Sequence, residues 1–182
     1  MSKNLDYWIN LYKESKGNMI CLDIEVTHFG GPISVIGLYK PKEGLIECQN
    51  FVRGKNLSKE NISPLFNDVK LILTFNGLAF DIPKIDSEFP GLIPDNIKIF
   101  DLHIFARAIN YKFSLRTLEN TFGIQRLTSD SEKKGVAIKL WQEYLKGNEG
   151  SLKKLLEYNA QDTINLYYLA EKLINITNSK SQ

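Results

Sequence analysis

The sequence predicts an α/β fold, a mixed central sheet with helices on both faces, and three observations carry that prediction. Three strand-like stretches come first, at Met19–Val26, Ile33–Tyr39 and 45–52, the last two joined by a Pro41/Gly44 turn. Short apolar strands at 71–75 and 97–100 then alternate with helical stretches. A leucine stripe at helical spacing closes the chain. Strands in direct succession read as an antiparallel meander, and the alternation after them as β/α units on the same sheet.

Each element has a local reason. Residues 1–18 read as an amphipathic helical extension, with Leu5, Trp8, Ile9 and Tyr12 on one face. Residues 58–68 fit a helix. Asn76-Gly77 ends the fourth strand, and a helix starts near Asp81, since Pro83 is tolerated in a first turn. Further helices follow from Leu102, from Leu115 and from about Gly135. The last begins at Ser151, a good capping type, and runs to about Ile174, leaving 175–182 as a flexible tail.

Composition bounds the function without naming it. The 182 residues fit one domain spanning 1–182, with 43% hydrophobic and 24% charged residues, as in ordinary soluble proteins. A net charge of +2 permits a nucleic-acid partner but does not argue for one. No run is long enough to cross a bilayer, which predicts no membrane partner. The opening residues lack the apolar core of an export signal, so Cys21 and Cys48 are expected reduced in a cytoplasmic protein.

The chemistry begins in the first strand. Side chains alternate along it, so Asp23 and Glu25 share a face while Leu22, Ile24 and Val26 take the other. Two neighbouring carboxylates repel and are costly to bury, and a divalent cation resolves both problems. A solvated strand end would accommodate the pair equally well. In the last helix, the stripe of Leu152, Leu155, Leu156, Leu166, Leu169 and Leu173 passes through Asn159 and Asp162, where it turns polar. A carboxylate inside a core-facing stripe breaks the local rule and points to a functional site, the alternative being a slightly rolled helix that leaves Asp162 solvated beside Lys154 or Lys172. Tyr158, four residues before Asp162, lies on a neighbouring turn of the same face. Asp81 fits a helix cap as well as a ligand.

Together, Asp23-Ile24-Glu25, Asn76-Gly77-Leu78-Ala79-Phe80-Asp81 and Tyr158-Asn159-Ala160-Gln161-Asp162 resemble the three exonuclease motifs of the DEDD superfamily, on an RNase H-like fold. Tyr158 places the resemblance with the DEDDy branch. The middle motif, with its trailing Pro83, is similar to that of family B DNA polymerase exonuclease domains. The closer likeness is to the YprB-type RNase H-like family, through Trp141-x-x-Tyr144-Leu145 and the Tyr158 to Leu166 stretch. One departure stands out: many DnaQ-like relatives carry Thr directly after the Glu, whereas here Val26 takes that place and Thr27 follows.

The resemblance implies a two-metal-ion 3′→5′ exonuclease that releases nucleoside monophosphates from DNA or RNA, at a single-stranded or frayed 3′ end. Two Mg²⁺ or Mn²⁺ ions per site would be held by Asp23, Glu25, Asp81 and Asp162, roughly 3.5–4 Å apart. Asp23 would bridge them and Tyr158 would orient the attacking water. Thr27, Phe29, Asn76 and Leu78 are candidate substrate contacts, with Phe29 or Leu78 as an apolar wedge. Lys112, Arg116, Lys133 and Lys134 are candidate phosphate contacts, and a protein partner is expected to supply further grip. Asp101 with His103 reads as a metal pair or a helix cap, His28 as a surface residue, and Trp141 with Tyr144 as core. A non-catalytic nucleic-acid-binding or docking module and a hydrolase of short oligonucleotides remain the alternatives.

Overall fold

The computed structural model describes residues 2–41, 47–126 and 135–179. Five strands form one sheet in the order β3-β2-β1-β4-β5. The central strand β1 (Met19–Val26) pairs antiparallel with β2 (Ile33–Tyr39), and β2 pairs antiparallel with β3 (Gln49–Val52). On the other side of β1 lie β4 (Leu71–Thr74) and β5 (Lys98–Asp101), both added in parallel. The expected meander followed by β/α units is therefore the observed α/β architecture.

The alternation of β1 sorts its side chains into two layers. Met19 and Cys21 pack with α1 (Ser2–Glu14), α4 (Leu102–Ala108), α5 (Leu115–Phe122) and α7 (Glu149–Ser179). Ile20, Leu22 and Ile24 pack on the opposite face, with α2 (Lys59–Ile62) and α3 (Asp81–Glu88). A third cluster joins β2 and β3 to α6 (Val136–Leu145) and the first half of α7, through Val35, Val52, Trp141 and Leu155. Asp23 and Glu25 continue the Met19–Cys21 face, so they point toward α7.

Gly37 lets α7 come close. It sits opposite Asp23 in the β1–β2 register. A Cβ at Gly37 would lie 2.2 Å from Asn159 Oδ1 and 2.5 Å from Thr163 Oγ1, so only glycine leaves room for the helix there.

Four expectations are corrected. The helix expected over 58–68 is instead α2 followed by a 3-10 turn, Ser63–Phe66, because Pro64 has no N–H to continue an α-helical ladder. The last helix starts at Glu149, and Ser151 is not its cap. The Asn148 side chain accepts from the Ser151 amide at 3.3 Å, while the Ser151 hydroxyl donates to Glu143 Oε2 at 2.7 Å, tying α7 to α6. The helix also continues to Ser179, since no Gly or Pro stands between Ile174 and Ser179 to stop it, so most of the expected tail is helical. Residues 180–182 lie outside the described residues. The third strand starts at Gln49 rather than 45; Gly44 of the expected turn and the positions 42–46 lie outside the described residues.

Candidate metal-binding active site

Three carboxylates from two elements meet at the end of β1. One carboxylate oxygen from each of Asp23, Glu25 and Asp162 lies within 4.8 Å of the others. Asp23 and Glu25 are half-buried and Asp162 is buried. Asn159, one turn before Thr163 and wholly buried, donates its Nδ2 to Asp23 Oδ2 at 2.8 Å and accepts from Asn50 Nδ2 at 2.6 Å. The close approach allowed by Gly37 thus becomes a direct hold on a carboxylate.

Asp81 arrives from the other side of β1. Pairing between β1 and β4 stops at Cys21 and Leu73, so β4 offers no partner to the Ile24 amide. That amide donates to Asp81 Oδ1 at 3.2 Å, so Asp81 is anchored to the backbone between Asp23 and Glu25. It opens α3 as its first residue, and Phe80 occupies the cap position. Asp81 stands outside the close group of three.

Electrostatics match a site short of positive charge. Burial raises the Asp23 carboxyl well above the ordinary range, and Glu25, Asp162 and Asp81 push it further. Glu25 is raised well above its ordinary value by burial and then by Asp162 and Asp81. Burial lifts Asp81 to about 7. Asp162 is raised by burial, while Arg126 pulls it back. Burial, then Asp162, Glu25 and Asp23, raise the Tyr158 phenol, which therefore stays protonated at neutral pH.

An all-oxygen donor set of clustered acids is the chemistry that Mg²⁺ or Mn²⁺ favours. Asp23, Glu25 and Asp162 each offer one carboxylate oxygen that could share an ion.

Of the candidate substrate contacts, Thr27 and Phe29 follow β1, and Asn76 and Leu78 follow β4. Thr27, at the end of β1, shares a 3.0 Å hydrogen bond with His28 Nδ1, and its carbonyl accepts from Gln142 Nε2 at 2.9 Å. Phe29 is 95% exposed in the loop between β1 and β2, and Leu78 is 44% exposed after β4. Asn76 adopts a φ of 61° at the head of that second loop. A Cβ on Gly77 would lie 2.1 Å from Thr74 Oγ1, which explains the Asn-Gly turn. Lys112 is exposed just before α5 and Arg116 is half-buried in its first turn. Lys133 and Lys134 lie outside the described residues.

Other residues resolve to structural roles. Asp101 accepts from the amides of Asn76, Leu78, His103 and Ile104, so it caps α4 and ties down the loop before Asp81. His103 packs its ring on Phe75 with centroids 5.1 Å apart. His28 is exposed. Trp141 is 3% exposed and packs against Tyr144, as a core pair does. Cys21 and Cys48 are both free.

A charged network beside Asp162 escaped the sequence reading. Arg126 pairs with Asp162 Oδ1 through Nη2, and grips Glu119 through Nε at 2.6 Å and Nη2 at 2.9 Å. A signal for it exists: Leu115, Leu118, Glu119 and Phe122 share one face of α5, and Glu119 is wholly buried there. It breaks an apolar stripe just as Asp162 does.

A family model, RNase_H_2 of the RNase H superfamily, matches residues 20–174. No curated protein matches the chain.

Proposed function

Because the chain belongs to the RNase H superfamily, whose members are generally metal-dependent nucleases, we propose that it is a 3′→5′ exonuclease of the DEDDy type. It would hydrolyse phosphodiester bonds at single-stranded or frayed ends of DNA or RNA. The observation that carries this reading is the convergence of Asp23, Glu25 and Asp162 within 4.8 Å. Tyr158 lies one turn before Asp162, and Asp81 is anchored between the two acids of β1. Mg²⁺ or Mn²⁺ held by these carboxylates would supply positive charge to offset the negative charge that develops on the attacking and leaving oxygens.

The chain's own groups do the rest. The protonated Tyr158 phenol orients water by hydrogen bonding rather than by taking its proton. Asn159 and the Ile24 amide hold Asp23 and Asp81 in place, so little reorganisation is needed at the moment of reaction. Phe29 and Leu78 offer apolar surface to a terminal base, and Thr27 and Asn76 line the same end of the sheet. Lys112 and Arg116 provide phosphate contacts, and a partner protein supplies further grip on a chain of net charge +2. Two free cysteines fit a reducing, cytoplasmic setting. Among the described residues no helix is long and apolar enough to cross a membrane.

The test is end-labelled DNA and RNA strands, and a dinucleotide, incubated with Mg²⁺, Mn²⁺ or EDTA. Stepwise shortening from the 3′ end that stops in EDTA is expected. Degradation that survives EDTA, or that proceeds from the 5′ end, would overturn the mechanism. Cleavage of the dinucleotide alone would make the enzyme a hydrolase of short oligonucleotides.

A further inference from the structure

Asp162 is gripped from behind by a closed ring of side chains. Arg126 lies just past α5, which Gly123 ends in a left-handed conformation with φ 65°. Its guanidinium makes two parallel bonds to Glu119 and shares Nη2 with Asp162 Oδ1. Glu119 Oε1 also accepts from Asn165 Nδ2 at 2.8 Å, and Asn165 Oδ1 accepts from Gln161 Nε2 at 2.8 Å. Asp162 and Asn165 are three apart on α7, so the path from Asp162 through Arg126, Glu119 and Asn165 returns to the helix it left.

The geometry of this ring has a physical consequence. A fork held at two points by one carboxylate cannot swing, so its direction toward Asp162 is set by Glu119. Glu119 is wholly buried and the Arg126 side chain is 9% exposed. A lone charge in either place would be costly, which means the pair stands or falls together. Arg126 also lies 6.0 Å from the centre of the Tyr158 ring. One fixed cation therefore borders both the acid and the phenol of the third motif.

We propose that Glu119 and Arg126 are positioning residues that hold the Asp162 carboxylate against Asp23 and Glu25, and so complete the metal site before any ion arrives. This rests on the reading of that cluster as a metal site. Residues behind a metal ligand orient it, and losing them typically weakens metal binding about 10- to 100-fold. A guanidinium that merely stood in for the metal would have the opposite effect on its removal.

The experiment is Mn²⁺ binding to the full chain, followed by calorimetry and by the electron paramagnetic resonance signal of free Mn²⁺. Glu119→Gln, Arg126→Lys and the pair Glu119→Gln/Arg126→Met are compared with the unaltered protein, and circular dichroism monitors the fold. The paired variant removes both charges of the Glu119–Arg126 pair together, so it carries the test should a single variant fail to fold. Affinity about 10- to 100-fold weaker at an unchanged spectrum is expected for the pair. Arg126→Lys should not restore it, because an ammonium cannot span Glu119 and Asp162 as a fork does. Unchanged or tighter binding by the pair, or full rescue by Lys, would overturn the positioning role. An unaltered protein that takes up no Mn²⁺ would overturn the metal-site reading and the clamp with it.

Discussion

At Asp23, burial, three neighbouring acids and the Asn159 amide act on one side chain. Asp23→Asn keeps the shape and can still pair with Asn159, but removes the charge. Turnover on end-labelled strands should fall below detection, while melting in EDTA should be unchanged or higher. Tyr158→Phe keeps the ring and should cost about 100-fold; a loss as complete as that of Asp23→Asn would show the hydroxyl to be more than an orienting group. The pH response follows from the same acids. Their carboxyls titrate higher in the folded chain than in the unfolded one, Asp81 moving from 3.8 to about 7. Between those values the metal-free folded state binds more protons than the unfolded state, so stability falls as pH rises. Melting temperatures in EDTA should therefore drop from about pH 4 to about pH 7, and a rise across that window would contradict the burial of these groups. The cluster of Asp23, Glu25 and Asp162 was legible because carboxylates interrupted apolar patterns in β1 and α7, whereas Asp81 fitted a helix cap equally well. Arg126 was not legible, since it follows the end of α5 and its partner Asp162 is 36 residues away.

Among elements, the contact between β2 and α7 decides the site's geometry. Gly37→Ala would drive a methyl group into Asn159 and Thr163, and α7 would have to retreat. Overpacking of this kind costs about 1–3 kcal/mol. The expected signature is a lower melting temperature together with weaker Mn²⁺ binding, because Asn159 would lose its reach to Asp23. Normal metal binding in a destabilised Gly37→Ala protein would separate packing from ligand orientation. The strands were readable from apolar runs bounded by turn residues, and α7 from its stripe. Its start was not, because Asn148 and Ser151 are both good capping types and only the bond from Ser151 to Glu143 settles which one caps.

At the scale of the whole molecule, α1 lies outside the family match at 20–174 yet is packed into the core. Ile9 and Tyr12 are buried, and the Trp8 ring stacks on Phe100 of β5 with centroids 5.1 Å apart. The Tyr12 hydroxyl donates to Glu171 Oε1 at 2.5 Å, and Lys16 pairs with the same carboxylate at 2.8 Å. The sequence reading had the correct face of this helix but treated it as an extension, since amphipathicity shows which side is covered and not what covers it. Tyr12→Ala should lower stability by about 3–5 kcal/mol in denaturant melts, as for other large buried rings. A loss below about 1 kcal/mol would mean that α1 is peripheral.

The 31 residues of α7 form one uninterrupted rod, roughly 46 Å long at 1.5 Å per residue. Groups on loops sit where the backbone opens most readily, but the candidate site residues Tyr158, Asn159 and Asp162 lie mid-rod, between Leu155 and Leu166 of two core clusters. Thr163 adds a bond from its hydroxyl to the Asn159 carbonyl at 2.7 Å. Amide hydrogens around 159–163 should therefore exchange with deuterated solvent only as slowly as the whole domain unfolds, while those of the loop bearing Phe29 exchange within seconds. Read by mass spectrometry, such a profile would mark a centre whose α7 residues are as durable as the domain itself, leaving the 27–32 and 75–80 loops as the parts that yield.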